Sequence, residues 1–272
     1  MKIGTCRLCL RENQELQNSH FISAAIYQVC KDGTKQPIMV GGGSARHTGG
    51  QIADELLCRD CEQRFSKNGE AWTIANMARQ GAFPLQLLLA NNQPLLANDR
   101  FAAYGQLSGI DLDQLVYFAL SIFWRASVHH WLEPDTDRPI ATIALAEYEE
   151  PIRRFLADGS PWPSNIVILV SVWPYPNPPL VLHTPVAASR DGFTTFMFSI
   201  PGLTFTLAVG LGIPVNLRRM CSHSSPERLI FSSTDQALYA LGSYAGKIVK
   251  SPPKGKLATE YPDHPAKSPG HK

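Results

Sequence analysis

The chain has 272 residues and no apolar run near the length of a membrane span, which takes about 18 or more uninterrupted residues. A transmembrane helix is therefore not expected. Charge of either sign is also in short supply: 25 Lys and Arg stand against 23 Asp and Glu, a net charge of +2. The first seventy residues carry nine basic and eight acidic side chains. Duplex affinity comes from neutralising phosphates, so this balance counts against a free-standing, high-affinity DNA binder. Also missing are a Gly-x-Ser-x-Gly elbow, a phosphate loop and a dinucleotide fingerprint. The stretch from Met1 to Cys6 leaves no room for a signal peptide, and cysteines number only six. A reducing, cytoplasmic compartment is the expectation.

Four of those six cysteines are spaced for a metal. Cys6-x2-Cys9 and Cys58-x2-Cys61 form two pairs with 48 residues between them. A two-residue gap lets both sulfurs of a pair reach one ion at about 2.3 Å, and two pairs complete a tetrahedron. One structural Zn²⁺ is expected, with Cys30 and Cys221 left as buried free thiols. After ten intervening residues Cys9 is followed by His20, which leads Phe21-Ile22 and reads as one polar group on a short strand. The second pair opens a helix, with Leu57, Cys61 and Phe65 at near-helical spacing.

A knuckle, extended segments and then a helix starting at the second pair resemble the zinc-bound HNH (ββα-metal, treble-clef) endonucleases. The residues that carry the resemblance are Cys6, Cys9, Ser19-His20-Phe21-Ile22-Ser23, Gly41-Gly42-Gly43 and Leu57-Cys58-Arg59-Asp60-Cys61-Glu62. They lie within residues 1 to about 70, a quarter of the chain. The resemblance implies phosphodiester hydrolysis, with His20 as general base and an oxygen-liganded Mg²⁺ or Mn²⁺ besides the zinc. The family's Asp before the His is Ser19 here, and its Asn or His after the last Cys is Glu62. The implied ion is then rebuilt from Glu62, Asp54 or Glu55, and His47. The implied partner is nucleic acid, DNA in the first instance, and an anti-phage effector is the analogous role. The alternative is a catalytically inactive, zinc-stabilised module that binds nucleic acid or a protein.

Beyond the module, Asp111 caps a helix expected over Leu112–Trp131, apolar round most of its circumference and so buried on several sides. His129 and His130 fall in its last turns. A second helix is expected from Ala141 to Ala157, with Arg153-Arg154 on a solvated face. The run Ile166–Trp173 has the composition of a fully buried strand, and further strands are expected at Leu180–His183, Phe193–Ile200, Leu203–Leu211 and Arg228–Phe231. Pro201-Gly202 between two aromatic-rich runs is the clearest hairpin turn. A short helix near Thr234–Leu241 closes the sheet. Gly41 to Gly50 reads as a mobile loop, either touching phosphates or a disordered connection.

The fold class is therefore α+β. A zinc module spans 1–80, a helical segment 81–160 and a mainly antiparallel β-rich domain 161–250. A disordered tail, 251–272, holds five prolines and four lysines. Residues 105–245 are expected to form one packed unit that docks a protein partner or a second copy, with no membrane involved.

Overall fold

The computed structural model describes residues 2–31, 36–41, 44–77, 83–134, 138–140, 143–174, 180–190, 192–233, 242, 245–247 and 249–264. Its first sheet is small: β1 (Lys2–Gly4), β2 (Gln14–His20) and β5 (Ala53–Cys58) pair antiparallel in the order β1-β2-β5. Helix α1 (Ala24–Val29) follows β2, with Ser23 in the N-cap position but making no side-chain cap bond. Strands β3 (Ile38–Gly41) and β4 (Ser44–His47) pair with each other. The stretch expected as a mobile Gly41–Gly50 loop is thus corrected in its middle, because backbone pairing holds Ser44 to His47.

Cys58 ends β5 and is also the N-cap of α2 (Arg59–Phe65). A π-helical turn, Ser66–Glu70, runs from α2 into α3 (Ala71–Met77). Gly69 sits in this turn because the backbone of the long central helix is so close. A Cβ there would lie 2.7 Å from the Phe118 nitrogen and 2.9 Å from its Cα. Wide turns of this kind rotate later side chains relative to an α-helix, and here the shift matters for Glu70.

Next come α4 (Pro84–Ala90), β6 (Leu96–Ala97) and β7 (Phe101–Tyr104). The central helix α5 is Leu112–Val128, capped by the Asp111 carboxylate, which accepts from Gln114 N–H at 3.0 Å. It stops three residues short of the expected Trp131: His129 is already extended, so His129 and His130 lie outside the helix. The second expected helix is shorter at its start, with a 3₁₀ turn at Ala146–Tyr148 and then α6 (Glu149–Asp158), ended by Gly159 at φ 73°.

The large sheet has seven strands, ordered β6-β7-β12-β8-β11-β10-β9. The remaining strands are β8 (Ile166–Val172), β9 (His183–Arg190), β10 (Phe193–Ile200), β11 (Leu203–Val209) and β12 (Ile230–Ser233). All pairs are antiparallel except β12 with β8. Every residue of β8 is buried, as a continuous apolar run in mid-sheet requires. Ile200 pairs with Leu203 across Pro201-Gly202, and Gly202 has φ 80°, the turn the sequence pointed to. Strand β9 begins at His183, where the expected Leu180–His183 strand ends. The five-residue helix α7 (Val215–Arg219) follows β11. The expected Thr234–Leu241 helix lies outside the described residues. The expected disordered tail is corrected for residues 251–264, where Pro253 bridges Ala45 and α8 (Lys256–Glu260) forms.

Helix α5 has thirteen buried residues and joins everything. One side faces the sheet: Phe118 lies 5.8 Å from Phe205, and Phe123 lies 4.9 Å from Phe198, ring centre to ring centre. The other side faces α2, where Phe65 meets Tyr117 and Trp124, each at 6.0 Å. One continuous cluster of buried apolar residues runs from Cys6 to Phe231. The cysteine-bearing segment and the β-rich region therefore share a core, although the sheet also takes β6 and β7 from the stretch expected to be helical.

Candidate functional site

The four cysteine sulfurs lie within 4.8 Å of one another. Cys9 and Cys58 sulfurs are 3.8 Å apart, the edge of a tetrahedron with metal–sulfur bonds of about 2.3 Å. Local structure sets this up. Between β1 and β2 the chain folds into a tight knuckle in which Leu10 N–H donates to Cys6 O at 2.9 Å and Cys6 N–H to Arg11 O at 3.0 Å. Leu10 takes φ 61° to complete it. On the other side, Cys58 and Cys61 sit at the cap and in the first turn of α2, three residues apart and so on one face. Cys58 N–H also donates to the Cys6 sulfur at 3.3 Å.

Such close thiols share protons unequally. The hydrogen bond from the Cys61 thiol holds Cys6 down to about 4, and the same bond pushes Cys61 up. A divalent ion among four such sulfurs takes the place of the protons, and the all-sulfur donor set fits Zn²⁺ in a closed, structural site. Sequence reasoning missed Arg11, two residues past Cys9. Its guanidinium donates to the Cys9 sulfur at 3.3 Å and the Cys58 sulfur at 3.6 Å, and pairs with Asp60 at 2.6 Å. Positive charge on thiolate sulfurs offsets the negative charge of a Cys₄ centre. Arg153, expected on a solvated face, instead reaches back from α6 to the Leu8 carbonyl of the knuckle.

His20 ends β2, half-buried, opposite Ala53. Among the described residues no hydrogen bond or ion pair engages its ring. Ser19 beside it is buried and committed to backbone: its hydroxyl accepts Leu57 N–H at 3.1 Å. The ladder steps from Gln17–Leu57 to Asn18–Glu55 there, leaving Leu56 as a bulge, and Ser19 satisfies the displaced backbone.

The residues expected to hold a second ion separate. Asp54, opposite Ser19, takes His129 Nε2 at 2.8 Å. Burial works to raise the Asp54 carboxyl, but Glu55 N–H and His129 outweigh it and hold it below the usual carboxylate range. Glu55 lies on the same strand edge, on the His20 face of the pair. Glu62 turns away to the buried Arg125 of α5, 3.7 Å off, and Arg125 also binds Glu70 at 2.8 Å while its guanidinium covers the Phe65 ring. Eight residues of α-helix would leave Glu70 about 80° off the Glu62 face; the π turn corrects that angle. His47 is in β4, bonded to Glu260 at 2.9 Å and to the Gln36 carbonyl at 3.0 Å. Among the described residues the four cysteines are the one group of three or more metal-ligating side chains brought together.

His129 is the second residue that sequence reasoning misplaced. As the first residue past the end of α5 it turns onto Asp54, and its ring stands edge-on to Trp131 at 4.8 Å. Trp131 in turn lies 5.2 Å from Phe21, the residue after His20. The end of α5 is thereby docked beside the His20 hairpin. Among the described residues no helix is long and apolar enough to cross a membrane. The chain matches no protein-family profile, no curated protein and no solved structure.

Proposed function

We propose that this chain is a zinc-organised endonuclease of HNH type in which His20 is the general base and Glu62 plays no catalytic part. One observation carries the reading: among the described residues, the histidine of the Cys-to-Cys segment whose ring has no hydrogen bond or ion pair ends β2, on the pair of strands whose other end is fastened at the cysteine site. Neutral imidazole titrates near physiological pH and can take a proton from water. Zinc held by four thiolates has no open position and fixes the hairpin only. A hard divalent ion at Glu55, the carboxylate on the His20 face, would supply charge neutralisation at the phosphate. Glu62 does not fit that role, since Arg125 holds it, and His47 does not, since Glu260 holds it. Asp54, on the other face, is held by His129 instead.

A second reading is favoured by the Arg125–Glu62 pair. The residue after the last cysteine is committed to the core, as in a zinc-stabilised module that binds a nucleic acid or protein without cutting. Incubating the full chain with plasmid and single-stranded DNA in Mg²⁺ or Mn²⁺ separates the two. Nuclease chemistry predicts cleavage that falls by about 10²-fold or more in His20→Ala, the span of a lost general base, with zinc content unchanged. Retention of DNA on a binding assay with no cleavage under either ion supports the binding module instead.

A further inference from the structure

A cavity of about 200 Å³ lies between α1, the β3–β4 hairpin and the chain entering β9. Ile38, Val40, Ile52, Ile140 and Leu182 give it apolar walls. A ring of benzene size occupies about 150 Å³ of such space. Its polar lining includes Tyr27, His183 and Lys247.

Their protonation can be worked out from contacts. Lys247 Nζ lies 2.9 Å from His183 Nε2. An ammonium can only donate, so Nε2 accepts, and the proton of the neutral ring sits on Nδ1. Burial first, and then the Lys247 charge, hold this ring below the usual imidazole range. Among the described residues that Nδ1 is buried with only the Thr184 backbone approaching it, and the buried Tyr27 hydroxyl has only the Ile52 N–H beside it, which leaves the phenol proton without an acceptor. Burial also pushes the phenol up, so it too stays a donor. A buried donor without an acceptor forgoes a hydrogen bond that a ligand oxygen can restore. The one carboxylate on the wall, Glu133, is paired with Arg46 at 3.1 Å. The cavity therefore offers hydrogen-bond donors and a positive charge alongside its apolar side chains.

We propose that this cavity binds a small monocarboxylic acid with a ring-sized apolar body, its carboxylate received by His183 Nδ1–H, Tyr27 O–H and the Lys247 ammonium. The same chemistry disfavours cations and disfavours bodies much larger than one ring. The site uses neither His20 nor the cysteines, so it stands or falls apart from the nuclease reading.

Titration of the full chain with benzoate and with cyclohexanecarboxylate tests it, with benzyl alcohol as the uncharged control. One acid per chain is expected, with a rise in melting temperature of about 3 °C at ten times Kd. Tyr27→Phe and Lys247→Met, which remove a hydroxyl and a surface charge, are each expected to weaken benzoate about tenfold. The His183 ring nitrogens are expected to shift in the NMR spectrum on addition of benzoate. The proposal is overturned if neither acid binds at millimolar concentration, if benzyl alcohol binds as well as benzoate, or if both variants bind as the wild type does.

Discussion

The two sides of α5 are held by different physics. Toward the sheet the contacts are aromatic and aliphatic: Phe118 and Phe123 against Phe198 and Phe205, backed by the fully buried β8. Toward the cysteines the contacts depend on charge and on a metal site: Arg125 binds Glu62 and Glu70, and α2 begins at Cys58. The sheet side has many interchangeable contacts, each worth a little. The cysteine side concentrates its stability in a few groups that cannot be exchanged. Its sheet has a three-residue edge strand and is fastened at the metal site, so loss of one ligand should do what loss of one phenylalanine cannot.

The largest effect is expected from Cys58→Ser. Structural zinc contributes about 10–16 kcal/mol in small metal-folded domains. Metal analysis should show zinc lost and circular dichroism should show β1, β2, β5 and α2 unfolded. Because Phe65 packs on Tyr117 and Trp124, the sheet side should lose stability too, in one transition. Full zinc retention would remove the site, and an unchanged melt of the sheet would uncouple the two sides.

The two sides also differ in how far they were legible. Both had strong local signals, and both signals held. The spacing of four cysteines placed a Cys₄ cluster, and the continuous apolar run at Ile166–Trp173 placed a buried central strand. What the sequence could not carry was the choice of partner. Glu62 is a hard oxygen donor after the last cysteine, but an arginine sixty-three positions away claims it. His129 looked helical because the apolar period runs on to Trp131, yet the helix ends at Val128 and the ring turns to Asp54. Residues 95–104 fall in the segment expected to be helical because they show little strand pattern of their own; β7 is fixed by pairing with β12, far along the chain. Periodicity reports a local face, and none of these outcomes is local.

Next in size is Arg125→Met. Removing one partner of a buried pair leaves the others without a counter-charge, which costs about 3–5 kcal/mol. Arg125 is 1% exposed, and Glu62 and Glu70 lie beside it. The sheet-side match is Phe123→Ala, with a similar expected loss of about 3–5 kcal/mol. The difference appears on combining changes. Glu62→Gln with Glu70→Gln should restore part of the Arg125→Met loss in denaturant titration, whereas no neighbouring polar change should rescue Phe123→Ala. If the double glutamine background makes Arg125→Met worse, the cluster is not a charge pair in the energetic sense.

Gly69→Ala tests the seam between the two sides. The new methyl would meet Phe118 backbone at 2.7 and 2.9 Å and the Gln114 carbonyl at 3.0 Å, atoms that cannot swing aside. Overpacking of this sort costs about 1–3 kcal/mol. Helix propensity alone predicts the opposite sign, since Ala favours helix over Gly by about 1 kcal/mol. A stabilised Gly69→Ala would mean that the π turn relaxes into α-helix and that the close approach to α5 is not required.

The smallest effect belongs to Asp54 and His129, where the two sides meet at the end of α5. The Asp54 carboxyl is held below its usual range, so its contribution is present above the ordinary carboxylate pKa of about 4 and fades as pH falls below it. The side chain is 40% exposed, so screening by water limits the term to under about 1 kcal/mol. Comparing wild type with Asp54→Asn at each pH cancels what both share, including any loss of metal from protonated cysteines. The wild type should be slightly more stable at pH 5 to 7, with the gap closing toward pH 3. A gap that widens on acidification would mean that Asp54 is raised and not lowered, and that His129 does not hold it.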